Sequence, residues 1–267
     1  MKTQLYPGTR LGLYEIVSAQ GNEGVPSVYK AKRVGSDDYF ALKVHSKCSF
    51  EELKALHKEV AVGRTLGNHP NIVSVHGLEK EADLFYLVMD FVYGQSVDDI
   101  VNEEKAVPPK LALAIARDVA AGLDYAHGKG IIHRDVKSAN ILFDGNKALL
   151  FDFGLAHAPG FPPNGVVGSI GFIPPEYSYD VKPDVRGDVY SLGVAILHML
   201  AGADFVRSPE FGSIHNKRDY KAIVSKTRAV PGVLRTVLLK AVDAEPDNRY
   251  KSAGEFAEAL ERVLKKI

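Results

Sequence analysis

One cysteine in 267 residues, Cys48, leaves this chain without an internal disulfide and suits a reducing compartment. An excess of charge of one sign is also missing. Lys and Arg number 33 and Asp and Glu 33, so net charge offers no pull toward nucleic acid or an anionic membrane. No long hydrophobic run occurs; the longest, around Val194 to Leu200, contains His198 and is too short to span a bilayer. Nothing at the N-terminus is built like a signal peptide, because Met1-Lys2-Thr3-Gln4-Leu5 leads straight to Pro7-Gly8. Internal repeats and low-complexity segments are absent too. The 46% of hydrophobic residues is ordinary for a globular chain, and the length is better suited to a two-part domain than to one core. The expectation is a cytoplasmic domain with no membrane segment of its own and no nucleic-acid partner.

Against these absences stands one dense stretch, His133-Arg134-Asp135-Val136-Lys137-Ser138-Ala139-Asn140, followed by Asp152-Phe153-Gly154. Short apolar runs flank it: Ile131-Ile132 before, Ile141-Leu142-Phe143 and Ala148-Leu149-Leu150-Phe151 after. Asp144-Gly145 signals a tight hairpin turn between the last two. The stretch is therefore a polar loop between strands, with Asp152 at the end of a hairpin. Such a set suits phosphoryl transfer. Asp135 can accept the proton of an attacking hydroxyl, Lys137 can neutralise charge on a moving phosphoryl group, and Asn140 and Asp152 offer hard oxygen ligands to Mg²⁺.

Further elements are legible in chain order. Tyr14–Val17, Ser27–Ala31 and Tyr39–Val44 read as three strands of an antiparallel meander. Ser49 with Glu52 forms a capping box, which starts a helix at Phe50 whose inward face carries Leu53, Leu56, Val60 and Leu66. Leu84–Val92 reads as a near-continuous apolar strand ending before Gly94. The stretch Pro108–His127 keeps helical spacing through Leu111, Ile115, Val119, Leu123 and Ala126, with Pro109 in the first turn and Gly128 and Gly130 at the end. From Ser252 a last helix places Phe256, Leu260 and Leu264 on one face.

His133-Arg134-Asp135 to Asn140, with Asp152-Phe153-Gly154, resembles the H-R-D-L-x-x-x-N and D-F-G signatures of bacterial-type, eukaryotic-like serine/threonine protein kinases, with Val136 in place of Leu. The resemblance extends over essentially the whole chain. Ala41-Leu42-Lys43 resembles the V-A-I-K strand, so Lys43 is implied to contact the α- and β-phosphates, with Glu59 as its partner on the following helix. Met89 is implied to back the adenine pocket, the backbone of Asp90 and Val92 to meet the adenine edge, and Val28, Ala41 and Leu142 to sandwich the ring. Gly168 to Glu176 is similar to G-T-x-x-Y-x-A-P-E, with Ser169 for Thr and Pro174 for Ala. Asp188-Val189-Tyr190-Ser191-Leu192-Gly193 resembles D-x-W-S-x-G, whose Asp braces the catalytic loop. Arg249 matches the late Arg that pairs with Glu176.

Three departures stand out. In the Gly-rich loop, Gly21 fits and Gly24 comes one place late, while Glu23 and Pro26 occupy the second and third glycine positions. Pro26 offers no amide to a phosphate, and a carboxylate at Glu23 would repel one. Between Leu155 and Val167 there is no Ser, Thr or Tyr, so phosphorylation cannot order that loop through Arg134, and activity independent of it is expected. Gly63 stands one turn beyond Glu59, where the family packs a larger apolar side chain.

The resemblance implies an α+β, bilobal fold with an ATP-binding part over 1–93 and a catalytic part over 94–267. It implies ATP and Mg²⁺ (or Mn²⁺) as cofactors and a protein hydroxyl as acceptor. The catalytic residues would be Asp135, Lys137, Lys43 and Glu59, the metal ligands Asn140 and Asp152, and the nucleotide-binding set would also include Gly21 and Gly24. Two alternatives stay open: a nucleotide-binding pseudokinase scaffold, favoured by Glu23 and Pro26, and a small-molecule phosphotransferase, for which Lys137 and the Gly168–Glu176 segment are untypical.

Overall fold

The computed structural model of the chain describes residues 4–20, 27–161, 168–177, 182–202, 224 and 230–267. Its contacts divide into two compact units, Met1–His69 with Val73–Tyr93, and Pro70–Ile72 with Gly94–Ile267.

Among the described residues the first unit is a six-stranded antiparallel sheet with one helix. Strands β1 (Arg10–Leu11), β2 (Tyr14–Gln20), β3 (Val28–Arg33), β4 (Tyr39–Ser46), β5 (Val75–Glu81) and β6 (Leu84–Asp90) lie in the order β1-β2-β3-β4-β6-β5. Alternation along the strands gives the sheet two different faces. One face carries Ile16, Tyr29, Ala31, Leu42, Val44, Tyr86 and Val88, which bury one another with Leu5, Leu11 and Tyr14. The other carries Val28, Ala41, Lys43, Leu87 and Met89, brought into line by the pairings Val28 with Lys43, Ala41 with Met89 and Lys43 with Leu87.

Helix α1 (Phe50–Leu66) starts at a complete capping box. Ser49 accepts from the Glu52 amide and the Glu52 carboxylate accepts from the Ser49 amide. Leu56 and Val60 pack on Leu87, while Leu53, expected on the inward face, is only half buried.

Gly63 lies on the face of α1 that meets β5. A Cβ there would come within 2.7 Å of the Val75 Cβ, so the β-branched side chain of Val75 takes the room a larger helix residue would need. Gly63→Ala should therefore lose about 1–2 kcal/mol despite its better helix propensity, since overpacking costs about 1–3 and the propensity returns at most about 1. In a Val75→Ala background the same change should be neutral or stabilising. A urea double-mutant cycle reads this coupling, and additive effects would refute it.

The second unit is mainly helical: α2 (Val97–Glu104), α3 (Pro109–Gly128), α4 (Val185–Ala201), α5 (Gly232–Ala241) and α6 (Ala253–Leu264), with a small sheet of β7 (Gln95–Ser96), β8 (Ile141–Phe143) and β9 (Ala148–Leu150). Helix α4 is buried nearly all round, from Gly187 to Leu200, and α3 packs against both α4 and α6. In α6 the buried face is Phe256, Ala259, Leu260 and Val263, with Leu264 half buried at its margin. Residues Pro70–Ile72 belong to this unit because Asn71 is stitched to β9. Its Nδ2 donates to Ala148 O and its own carbonyl accepts from the Leu150 amide, both at 2.9 Å. Gly94 opens the main run of this unit where a Cβ would collide with the Phe143 carbonyl.

His198 on α4 is buried, with Nδ1 2.7 Å from Ser138 Oγ and 3.9 Å from Asp98 Oδ1. Burial pushes its pKa below the ordinary 6.5, and Asp98 offsets this only in part. An unfolded His198 takes up its proton near pH 6.5 and the folded one only lower. Its contribution is therefore complete above pH 6.5 and drains away as the pH falls below it. Urea unfolding at pH 7.5 and pH 5.5 should show a smaller loss of stability in His198→Gln than in the wild type. Equal losses would rule this out.

Among the described residues no helix is long and apolar enough to cross a membrane.

Candidate active site

Each unit assembles its own part. In the first, Lys43 on β4 reaches Glu59 on α1, with Nζ 3.3 Å from Oε1 and 3.5 Å from Oε2. Glu59 is buried and Lys43 half buried, so water screens the pair only weakly. Val28 and Ala41 are half buried and Met89 is buried on the same face as Lys43. Asp90 ends β6, with its amide donating to Ser74 O and its carboxylate 2.6 Å from His76 Nε2. Val92 follows, half buried. Gly21 and Gly24, with Glu23 and Pro26, lie outside the described residues.

In the second unit the loop 131–140 is held by one carboxylate. Asp188, fully buried in the first turns of α4, accepts at Oδ2 from His127 Nε2 and the His133 amide and at Oδ1 from the Arg134 amide, each at 2.8 Å. Burial would raise its pKa, but these donors outweigh that and hold it below the usual carboxylate range. Arg134 is thereby fixed at φ 69°, a left-handed conformation rare outside glycine. Its guanidinium is buried, which lowers its pKa, and lies 6.0 Å from the Tyr177 ring centre.

His133 is buried with a defined tautomer. Its Nδ1 accepts from the Asp135 amide, so the ring proton sits on Nε2 and is donated to Phe151 O at 3.0 Å. Its ring stands edge-on to Phe153, centroids 4.6 Å apart.

Asp135 is the centre of the loop. Oδ2 accepts from Asn140 Nδ2 at 3.0 Å and from Lys137 Nζ at 2.9 Å, whereas Oδ1 is buried with no hydrogen-bond donor among the described residues. A buried carboxylate oxygen with no donor is costly, and it is left with capacity to accept a hydrogen bond or a proton from a ligand. Lys137 Nζ also donates to Ser169 Oγ. Asn140, in a 3₁₀ turn (Ser138–Asn140), spends both amide hydrogens on Asp135, which leaves its Oδ1 as the oxygen to offer a cation. Asp152 immediately precedes a second 3₁₀ turn (Phe153–Leu155) and has φ 64°, again left-handed. Leu142, half buried in β8, pairs with Leu149.

Among the described residues no three His, Cys, Asp or Glu side chains cluster as a metal cage. Asn140 and Asp152 each carry a hard side-chain oxygen. That set fits a small divalent ion that keeps waters and phosphate oxygens for its other positions.

The protein kinase domain family matches residues 14–266. This chain belongs to that family. It is 33% identical over 264 residues to a probable serine/threonine-protein kinase of Clostridium perfringens, covering 94% of this chain and 38% of the relative. It is 29% identical over 257 residues to the serine/threonine-protein kinase PrkC of Bacillus subtilis, covering 92% and 39%. It is 36% identical over 210 residues to the serine/threonine-protein kinase PknB of Mycolicibacterium smegmatis, covering 73% and 34%. The chain thus spans well under half the length of these curated relatives. As a member of the protein kinase domain family it is an α+β protein.

The closing structural pairs of this kinase domain are also in place. Arg249, buried at the end of a 3₁₀ turn (Pro246–Asn248), makes a two-pronged bond to Glu176, Nη1 to Oε1 at 2.6 Å and Nη2 to Oε2 at 2.7 Å. It donates as well to the carbonyls of Asp243, Ala244 and Arg186, and its guanidinium lies 4.7 Å from the Tyr190 ring centre.

Proposed function

We propose that the domain transfers the γ-phosphate of Mg-ATP to serine or threonine hydroxyls of proteins, with residues 1–93 as the nucleotide-binding part and 94–267 as the catalytic part. The observation that carries this is Asp135, with Oδ2 tied down by Asn140 and Lys137 and Oδ1 left as a buried acceptor. Asp135 Oδ1 takes the proton as the substrate oxygen bonds to phosphorus and the bond to the leaving diphosphate breaks. Lys137 holds positive charge beside the transferring group, and its bond to Ser169 places a hydroxyl of the acceptor's own kind there, which favours serine and threonine over tyrosine. Lys43, oriented by Glu59, steadies the α- and β-phosphates. Val28, Ala41, Met89 and Leu142, with the backbone of Asp90 and Val92, receive the adenine, and Gly21 and Gly24 the phosphates. Asn140 and Asp152 would hold the metal, Mg²⁺ before Mn²⁺, which supplies charge neutralisation at the phosphates. Catalysis on this reading is mostly positioning and electrostatics.

Two corollaries follow. Activity does not require phosphorylation between Leu155 and Val167, a stretch without an acceptor; an Arg134 that is 5% exposed is in keeping with that. A chain with one cysteine that consumes ATP belongs in the cytoplasm.

The test is transfer from radiolabelled Mg-ATP to the protein itself and to a generic basic protein, with Asp152→Ala as control. Label on Ser or Thr outside 155–167 that vanishes in the control is the expected result. No transfer with either metal, while ATP still raises the melting temperature, would make the domain a pseudokinase, with Glu23 and Pro26 the first suspects. Label that reaches only a metabolite would make it a small-molecule phosphotransferase.

A further inference from the structure

Among the described residues Lys30 has no acidic partner. Its Nζ sits instead among three aromatic rings, 4.3 Å from the Tyr39 centroid, 4.7 Å from Phe91 and 4.7 Å from Tyr93. The rings also meet edge to face, Phe91 with Tyr93 at 4.9 Å and Tyr39 with Tyr93 at 6.3 Å, so cation and rings form one cluster. Lys30 pairs with Ala41 and Ala41 with Met89 across β3, β4 and β6, which puts the ammonium on the sheet face of Val28, Ala41, Lys43 and Met89. Two of the rings, Phe91 and Tyr93, come from the stretch that follows β6. Tyr93 is 62% exposed, so burial alone does not fix its position.

We infer that Lys30 is a positioning residue for nucleotide binding: its cationic cage pins residues 91–93 to the sheet, and so fixes the backbone of Asp90 and Val92 in the conformation that receives the adenine. The inference rests on the nucleotide-binding role proposed above for that backbone. β6 ends at Asp90, so beyond it no ladder bonds hold the chain. The cage supplies the missing restraint through a contact that a neutral side chain cannot make. Arginine can replace lysine there, because its guanidinium also stacks on aromatic faces. A chain already fixed in its binding conformation does not spend binding energy on ordering itself.

The experiment compares wild type, Lys30→Met and Lys30→Arg in two measurements. Amide hydrogen exchange of the nucleotide-free protein should be faster at residues 91–93 in Lys30→Met and unchanged in Lys30→Arg. Calorimetric titration with Mg-ATP should show about tenfold weaker binding in Lys30→Met and near wild-type binding in Lys30→Arg. In turnover the change should fall on the KM for ATP and spare kcat, a split that general destabilisation would not produce. If the wild type binds Mg-ATP and Lys30→Met binds it equally well, the inference falls while the nucleotide-site reading stands. If Lys30→Arg fails as far as Lys30→Met, the cationic cage is not the cause and the inference is overturned. A wild type that binds no Mg-ATP would take down the nucleotide-site reading, and this inference with it.

Discussion

Asp135→Asn should cut phosphoryl transfer at saturating ATP by about 10²- to 10⁴-fold, the span a positioned general base contributes. The amide keeps one oxygen to face Lys137 and Asn140, so the loop has reason to keep its shape. What it lacks is the acceptor at the Oδ1 position, the one buried oxygen of the group with no donor. Steady-state kinetics should therefore show the loss in kcat, with the KM for ATP nearly unmoved, since the proposed nucleotide contacts lie on other residues. A loss below tenfold would mean that Asp135 is not the base. A collapse in melting temperature would mean instead that the carboxylate holds the loop together.

The largest effect on stability is expected from Arg249→Met. Arg249 is 2% exposed, and its guanidinium serves Glu176 with two bonds, three carbonyls and the Tyr190 ring. Removing it leaves the Glu176 carboxylate without its cation and several carbonyls without a donor, and breaking one side of a buried pair costs about 3–5 kcal/mol. At about 2–4 °C per kcal/mol for a domain of this size, the melting temperature should fall by roughly 6–20 °C. Adding Glu176→Gln should cost far less in this background than in the wild type, because the charge it neutralises has already lost its partner. Thermal denaturation of the four proteins decides it, and a drop under 3 °C for Arg249→Met would show that water replaces the guanidinium without penalty.

Local rules carried much of the fold. Ser49 and Glu52 gave the start of α1 because a capping box is complete within four residues. Asp144-Gly145 between two apolar triplets gave the β8–β9 hairpin for the same reason, and the Pro109 start of α3 needed only its first turn. What stayed hidden depends on distant partners. β5 contains Gly77, Glu79 and Lys80 and lacks clean alternation; its pairing with β6 and the approach of α1 make it a strand. α2 left a signal that was there to read, Ser96 capping the Asp99 amide ahead of Val97, Ile100 and Val101, but at eight residues it makes little periodic pattern. The candidate site followed the same division. Asp135, Lys137, Asn140 and Asp152 sit close in sequence, so their spacing speaks for itself. The cage around Lys30 joins residues from two strands and the stretch beyond β6, and a cation over aromatic rings leaves no spacing to recognise.

Arg134 and Asp152 share a feature whose meaning reaches past chemistry. Both are non-glycine residues held left-handed, at φ 69° and 64°, and each such residue costs about 1–2 kcal/mol. Glycine would relieve that strain at both positions, and a neutral side chain at 135 would relieve the orphaned carboxylate oxygen between them. A library of this domain selected only for heat resistance should therefore accumulate its gains at Arg134, Asp135 and Asp152, and on the roles proposed above for Asp135 and Asp152 the sturdier proteins would lose phosphoryl transfer. Engineering for durability here would have to freeze those three positions first and look for its gains elsewhere in the chain.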